Sequence, residues 1–306
     1  MLNFRTVPFE EIDIVKWNSC VHYAANGNVF GYHWFLKNTI KEWDAIVLND
    51  YEAVFAMPRN VDKNGHPISI HTPLYLRELG LYSTSLLDVN KVAAALDYFP
   101  ENVPHVRIAL NLGNPTHKVH GFDIVQLKNY TISLYRPHES IREAYTPEFK
   151  DIKSVESSGM YLDNQIKVEE LVNYIFMTQQ QDWDRHTAMR IIYNALHRGI
   201  GMITVLRDRS SKILAAGFFI SSHGRIVHLF SASHHKNELT NKFLLFDSFV
   251  RSYANRPLIF DLNMGENPLS LGVGAESYEY PVLTKVSPKK NWVSGIFSSL
   301  FQNQGT

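Results

Sequence analysis

Four residues in the second half of the sequence have side chains that can accept a proton or orient a substrate. Asp261, Asn263 and Glu266 lie in the text DLNMGENP, which is typical of a strand end followed by a turn. His228 lies earlier, in the apolar text VHLFSASHH. A carboxylate, or a histidine with a pKa near neutrality, can act as a general base. The structural alternatives are an aspartate that caps a turn, a solvated glutamate and a histidine that is hydrogen-bonded in the core.

The text around these residues has a near copy in the first half of the chain. ALNLGNP at residues 109–115 corresponds to DLNMGENP at residues 261–268. Both phrases follow the same predicted elements, which are a strand hairpin, a third strand, a helix and a final strand. The hairpins lie at residues 44–60 and 201–221. Because these elements occur in the same order in both halves, the sequence predicts an internal duplication.

The length and composition are compatible with two ordinary domains. A chain of 306 residues accommodates two domains of about 100–200 residues each. The formal net charge of zero provides no global field that would attract nucleic acid or a membrane. The single cysteine, Cys20, excludes an intramolecular disulfide, and His234 and His235 have no third ligand at metal spacing. We therefore expect no metal site and no required cofactor.

The two ends of the sequence indicate where in the cell we expect the protein to be found. The N-terminal residues include early acidic side chains and no long apolar run, so they do not have the form of a signal peptide. No window approaches the roughly 20 apolar residues of a spanning helix, and we expect a cytoplasmic protein. Residues 287–306 place apolar side chains on one helical face behind Lys289 and Lys290. This amphipathic tail is predicted to contact a membrane surface or a partner, or alternatively to pack on the protein itself.

Several texts, taken in their order along the chain, resemble a known family. They are VFGYHWFLKN at residues 29–38, TPLYLRELGLYS at 72–83, KILAAGFF at 212–219 and LIFDLNMGENP at 258–268. The duplicated chain resembles two N-acyltransferase domains of the GNAT type in tandem, as in the Fem-type peptidoglycan aminoacyltransferases. The resemblance covers nearly the whole chain up to about Val286, and it rests on the order of the motifs.

The resemblance implies a fold of the α+β class. Each of the two GNAT-like domains is expected to be a mixed, mostly antiparallel sheet flanked by helices. We place the first domain at residues 1–137, the second with its leading helices at 138–286, and the amphipathic tail at 287–306.

The resemblance also implies an enzyme that transfers an acyl or aminoacyl group to an amine of a cell-wall precursor or another small acceptor. The donor would be aminoacyl-tRNA or acyl-CoA. GNAT enzymes that use acetyl-CoA hold its pyrophosphate in a Gln/Arg-x-x-Gly-x-Gly/Ala loop at a helix N-terminus. The matching texts, LYSTSLLDVNK and SASHHKNELTNKF, lack this loop. The alternatives are an acyl-CoA-dependent N-acetyltransferase with a non-standard phosphate loop and a non-catalytic relative that binds a ligand or partner.

Acyl transfer to an amine needs a neutral amine, a stabilised oxyanion and two aligned substrates. On this resemblance the four residues named first are the candidate catalytic residues. Lys37 and Arg185 are the candidates to bind the phosphates of an acceptor, with Arg77 as an additional guanidinium and Tyr75 as a lining residue. The structural alternatives are solvated charges for Lys37 and Arg185 and a core position for Tyr75.

Overall fold

A computed structural model describes residues 2–101, 103–117, 119–155, 157–178 and 184–286. Contacts divide the chain into two compact units. Unit 1 contains Met1–Leu127 and the part of the last strand that begins at Glu279, and unit 2 contains Lys128–Tyr278. The predicted amphipathic tail lies outside the described residues.

The regular elements follow one another in the order that the duplication predicts. In chain order they are β1 (Phe4–Val7), α1 (Ile14–Tyr23), α2 (His33–Thr39), β2 (Trp43–Leu48), β3 (Ala53–Pro58), β4 (Asn60–Val61), β5 (Pro67–His71), β6 (Tyr82–Ser83), α3 (Val89–Leu96), β7 (His105–Ala109), β8 (Asp123–Ser133), α4 (His138–Arg142), α5 (Pro147–Lys150), β9 (Tyr161–Asp163), α6 (Val168–Thr178), α7 (Arg185–His197), β10 (Gly201–Arg207), β11 (Ile213–Ser222), β12 (Arg225–Ser233), α8 (Glu238–Tyr253), β13 (Ile259–Asp261), α9 (Pro268–Gly272) and β14 (Glu276–Val286).

Unit 1 contains two groups of paired strands. The first has the order β1-β2-β3-β6, and the predicted hairpin is confirmed as antiparallel β2 and β3. Every residue of β2 and β3 is buried, which explains their continuous apolar texts. In the second group β5 runs parallel to β7, with Ile70 opposite Val106, and β14 runs antiparallel to β7, with Val282 opposite Ala109.

The helices of unit 1 begin at residues that the sequence marks. Asp13 precedes α1, and its carboxylate accepts hydrogen bonds from the backbone N–H groups of Val15 and Lys16. Asp88 caps α3 in the same way through the N–H of Lys91. Apolar spacing then turns one face of each helix toward the core.

Unit 2 contains one sheet with the order β8-β13-β12-β11-β10-β9. The predicted hairpin is confirmed as antiparallel β10 and β11, with Gly201 opposite Ile220. The turn between them is organised by Asp208, whose carboxylate accepts from the backbone N–H groups of Ser210 and Lys212. This contact explains why a polar, aspartate-containing text separates two apolar strands.

The core of unit 2 lies between the sheet and α8 and is rich in aromatic rings. The rings of Phe219 and Phe249 stack with centroids 4.0 Å apart, and the centroid of Phe260 lies 5.0 Å from that of Phe249. All three side chains are almost fully buried. Burial of each ring contributes about 1.5–3 kcal/mol to the free energy of unfolding.

The stretch of residues 140–159, which the charges and helix formers predict as helical, differs in the structure. Among the residues of this stretch that the structure describes, the helical ones belong to the end of α4 and to the single turn α5. Thr146 is extended (ψ 157°) and Pro147 occupies the first turn of α5. Because the residue before a proline avoids helical dihedrals, the helix is interrupted at this point.

Candidate functional site

The parallel pairing of β12 and β13 covers only three residue pairs. Arg225, Ile226 and Val227 lie opposite Ile259, Phe260 and Asp261. β13 ends there, whereas β12 continues to Ser233. A register shift between β11 and β12 at Phe218/Phe219 marks a bulge, which bends the paired strands. We call the place where the pairing of β12 and β13 ends the strand gap, and we call residues 262–266, which follow β13, the exit loop.

His228 lies at the start of the strand gap. Its Nδ1 is 3.0 Å from the carbonyl oxygen of Leu262, so Nδ1 carries the proton and donates. Nε2 is buried and has no hydrogen-bond partner among the described residues. Burial lowers the pKa of His228 to about 4, and the rings of Phe219 and Phe246 lie 5.7 and 5.0 Å from the imidazole. The side chain is therefore neutral at pH 7, and Nε2 can only accept a hydrogen bond or a proton.

Asp261 is fully buried at the end of β13. Its Oδ1 accepts from Nδ2 of Asn129 at 2.7 Å and from the backbone N–H of Asn263 at 2.9 Å. Its Oδ2 accepts from Nη1 of Arg225 at 3.0 Å. Both oxygens are thus engaged by the protein, and the carboxylate holds the exit loop against the sheet.

The exit loop carries the two remaining candidates. Asn263 has a left-handed backbone (φ 51°), which non-glycine residues adopt where neighbours hold them. Glu266 is exposed, and its Oε2 accepts from the hydroxyl of Tyr130 at 2.8 Å. The same hydrogen bond raises the pKa of Tyr130. Glu266 is therefore an oriented carboxylate that is accessible from solvent.

The structure places His228, Asp261 and Asn263 where the pairing of β12 and β13 ends, and it places Glu266 further along the exit loop, beside Tyr130. It also adds residues that the sequence pattern does not mark. Asn129 and Tyr130 begin the text NYTISL, which the pattern assigns simply to a strand. Nothing in that text distinguishes a polar side chain that serves a distant loop from one that faces solvent. The residues added by the structure are Asn129, Tyr130, Arg225 and Tyr278.

The two candidate phosphate-binding residues lie in different units. Lys37 is exposed in the last turn of α2 in unit 1. The pKa of His33 is lowered mainly by burial and, to a smaller extent, by the positive charge of Lys37. Arg185 is exposed at the first position of α7 in unit 2, where its guanidinium contacts the side chain of Asn173. Both cations are thus at the surface of their own unit.

Arg77 and Tyr75 lie inside unit 1. Nε of Arg77 is 3.2 Å from Oε2 of Glu78, and both side chains are buried. The guanidinium also lies 5.6 Å from the ring centroid of Phe30. Tyr75 is buried as well. In this arrangement the charge of Arg77 is balanced by Glu78 within the unit.

Two further features concern ligands and membranes. In the described ranges, no group of three or more histidine, cysteine, aspartate or glutamate side chains is placed to hold a metal ion. No helix within the same ranges is both long and apolar enough to cross a membrane. The described polar residues of the strand gap thus present oxygen and nitrogen atoms for hydrogen bonding and proton transfer.

The fold is similar to those of several solved structures. FemX aligns with a TM-score of 0.65 at 9% identity, over 92% of this chain and 97% of that one. A tandem GNAT protein from the clavulanic acid biosynthesis pathway aligns with a TM-score of 0.54 at 10% identity, over 92% and 98%. L-PGS from Bacillus licheniformis aligns with a TM-score of 0.53 at 11% identity, over 91% and 93%. No protein-family model matches the sequence, and no curated protein does.

These similarities confirm the predicted fold. The chain is of the mixed α+β class, with mostly antiparallel sheets and flanking helices, and its fold is that of tandem GNAT proteins such as FemX. The order of weak motifs therefore carried a correct prediction at identities of 9–11%.

Proposed function

We propose that the protein is an N-acyltransferase whose reacting centre is the strand gap of unit 2. The observation that carries the proposal is that the pairing of β12 and β13 ends after three residue pairs, with His228 and the exit loop at the place where it ends. Strands that separate leave backbone N–H groups that can stabilise a tetrahedral oxyanion. Similarity of the fold to FemX and to a tandem GNAT protein supports the same chemistry.

In the proposed reaction the amine nitrogen attacks the acyl carbon of the donor, and the bond from that carbon to the donor oxygen or sulfur breaks. The ammonium proton of the tetrahedral adduct passes to Glu266, which Tyr130 orients. Glu266 then returns the proton to the leaving oxygen or sulfur, so the protein is unchanged. His228 donates from Nδ1 to the carbonyl of Leu262, and we assign it to positioning the exit loop beside β12.

This proposal divides the two candidate carboxylates between different roles. Asp261 is fully buried and engaged by Arg225, Asn129 and the exit loop, so we assign it to positioning. Glu266 is exposed and has one side-chain hydrogen bond. Proton transfer requires a carboxylate that the substrate can touch.

For the substrates, we propose aminoacyl transfer to an amine of a cell-wall precursor or another small acceptor. The fold similarity to FemX and the order of Fem-type motifs support this choice. Arg185, an exposed cation of unit 2, is proposed to bind a phosphate group of such an acceptor, and Lys37 is a separate candidate for phosphate binding on unit 1. Aminoacyl-tRNA is the proposed donor.

A second candidate is acyl-CoA-dependent N-acyl transfer, and one observation favours it. Asn237, which precedes α8, has a left-handed backbone (φ 63°), and its side chain does not cap the helix. Uncapped N–H groups at a helix N-terminus suit a pyrophosphate. The donor test below separates this candidate from the first.

The experiment is a transfer assay on the full chain with aminoacyl-tRNA or acetyl-CoA as donor. A lysine-containing peptide and a nucleotide-linked cell-wall precursor serve as acceptors, and the amide product is detected by mass spectrometry. We expect product with one donor class and a fall in kcat of at least about 100-fold for Glu266→Gln. Glu276→Gln, an exposed carboxylate at the start of β14, is the matched control and should match wild type.

Two results would contradict the proposal. Absence of product from every donor and acceptor pair removes the transferase assignment. Full activity of Glu266→Gln, with product formed by wild type, removes Glu266 as proton acceptor and leaves the strand gap without its base.

A further inference from the structure

The side chain of Asn129 lies at the centre of the contacts that hold the exit loop. It belongs to β8 and is 1% exposed. Its Nδ2 donates to Oδ1 of Asp261 at 2.7 Å and to the hydroxyl of Tyr278 at 2.8 Å. Its Oδ1 accepts from the backbone N–H of Met264 at 3.0 Å. Because an N–H can only donate, the Met264 contact fixes the orientation of the amide.

Asn129 and Asp261 together hold two consecutive residues of the exit loop. Asp261 accepts from the N–H of Asn263 at 2.9 Å, and Asn129 accepts from the N–H of Met264. Asn263 has the left-handed conformation that residues other than glycine seldom adopt. Two buried side chains thus secure the loop at the place where its backbone is least favourable.

The sheet itself does not depend on the polar group of Asn129. β8 and β13 are joined by backbone pairing, in which Ile259, Phe260 and Asp261 lie opposite Ser133, Ile132 and Thr131. This pairing lies on the far side of Tyr130 from Asn129. Two of the three side-chain contacts of Asn129 go to the exit loop or to the carboxylate that holds it. An apolar side chain of similar size would preserve the sheet and remove these contacts.

We propose that Asn129 is a positioning residue for the reacting centre. Through Met264 and Asp261 it fixes the exit loop, and so it fixes the carbonyl of Leu262 that orients His228 and the backbone that carries Glu266. This inference rests on the proposed function, because the rigidity of the exit loop affects a rate only if transfer takes place at the strand gap. A reacting group held out of line lowers the rate of the bound complex more than the affinity.

The test compares Asn129→Leu with Thr131→Val in the full chain. Thr131 lies two residues further along β8, and its hydroxyl contacts the carbonyl of Glu276 at 3.4 Å, outside the exit loop. Hydrogen exchange at the Met264 amide and steady-state kinetics are measured for both. Asn129→Leu should speed that exchange about tenfold or more and lower kcat about 10- to 100-fold, with KM changed less than about twofold. Thr131→Val should behave as wild type.

A milder variant covers the case in which Asn129→Leu does not fold. Tyr278→Phe removes one hydrogen-bond acceptor of Asn129 but keeps the ring over which the Arg225 guanidinium lies, 5.6 Å from the centroid. We expect smaller changes in exchange and kcat, in the same directions.

Each outcome decides between defined possibilities. Unchanged exchange at Met264, or an unchanged kcat in a variant whose loop amides exchange faster, overturns the role of Asn129. Absence of transfer by wild type overturns the proposed function, and the two failures are distinguished by the wild-type assay.

Discussion

The two copies of the strand-exit phrase have different partners in the two units. In unit 1 the phrase is paired by backbone, because the N–H of Leu79 donates to the carbonyl of Ala109 and the carbonyl of Leu79 accepts from Asn111, both at 2.8 Å. In unit 2 the carbonyl of Leu262 accepts instead from the side chain of His228. A parallel backbone bridge at Leu79 thus follows the strand in unit 1, whereas a side-chain contact from His228 follows it in unit 2.

The polar side chains of the two phrases also face different surroundings. In unit 1 Asn111 and Asn114 are both 3% exposed, and Oδ1 of Asn114 accepts from the N–H of Leu81 at 2.9 Å. In unit 2 the first position of the phrase is Asp261 rather than Ala109, and its carboxylate holds an exit loop that ends at the exposed Glu266. The same type of turn sequence is therefore paired by backbone hydrogen bonds in unit 1 and lies beside the strand gap in unit 2.

The largest expected effect is the loss of stability when the buried carboxylate of Asp261, in the unit 2 copy of the phrase, is removed. Asp261→Ala leaves Arg225 without its carboxylate partner, and we expect a loss of about 3–5 kcal/mol in the free energy of unfolding of unit 2. Chemical denaturation followed by hydrogen exchange of unit 2 amides measures it. The double variant Asp261→Ala/Arg225→Met should recover part of the loss. A loss below about 1 kcal/mol would mean that the pair does not hold the exit loop.

The next effect is a pH dependence of stability that comes from His228 in unit 2. The pKa of His228 is lowered from 6.5 to about 4 on folding, so the unfolded chain binds more protons between these values. The free energy of unfolding is therefore highest, as far as His228 is concerned, above about pH 6.5. It falls as the pH falls toward 4, by about 3 kcal/mol in total.

His228→Asn isolates this pH dependence, because asparagine can still donate to the carbonyl of Leu262 but does not titrate. Denaturation of wild type and variant is compared between pH 4 and 7. The difference between their stabilities should change with pH in the stated direction. Parallel curves for the two proteins would show that His228 is not held neutral by burial.

A smaller loss of stability is expected for a substitution in the unit 1 copy of the phrase. Asn114→Ala leaves the buried N–H of Leu81 without its acceptor, which costs about 1–3 kcal/mol in unit 1. Denaturation detects the loss, and the transfer assay should show unchanged kcat because the strand gap is untouched. A large fall in kcat in a folded variant would end the assignment of the reacting centre to unit 2 alone.

The smallest effects concern the two hairpin turns. Asp50 pairs with Lys16 at 2.7 Å between exposed side chains, and Asp50→Ala should leave the denaturation midpoint unchanged within error. The pKa of Asp208 is lowered by the hydroxyl of Ser210 and by the backbone N–H groups of Lys212 and Ser210, from all of which its carboxylate accepts hydrogen bonds. Asp208→Ala should lower the midpoint slightly. Equal midpoints for both variants would remove this difference between the hairpins.

Local patterns in the sequence were enough to predict the fold. Apolar strand texts, helix caps such as Asp88 and the repeated exit phrase act over a few residues, and their order gave the tandem GNAT fold that the similarity to FemX confirms. The helix predicted for residues 140–159 is too long, because Pro147 interrupts it at the extended Thr146.

The sequence by itself determined the order of the elements, the duplication and the clustering of Asp261, Asn263 and Glu266, because these follow from contacts between near neighbours. Only the tertiary structure decided which copy lies beside the strand gap and which carboxylate is accessible from solvent. Asp261 is buried by Asn129 and Arg225, which lie 132 and 36 residues away. The partner of each exit phrase, Leu79 in unit 1 and His228 in unit 2, likewise lies far away in the sequence, and such contacts depend on packing that no local pattern encodes.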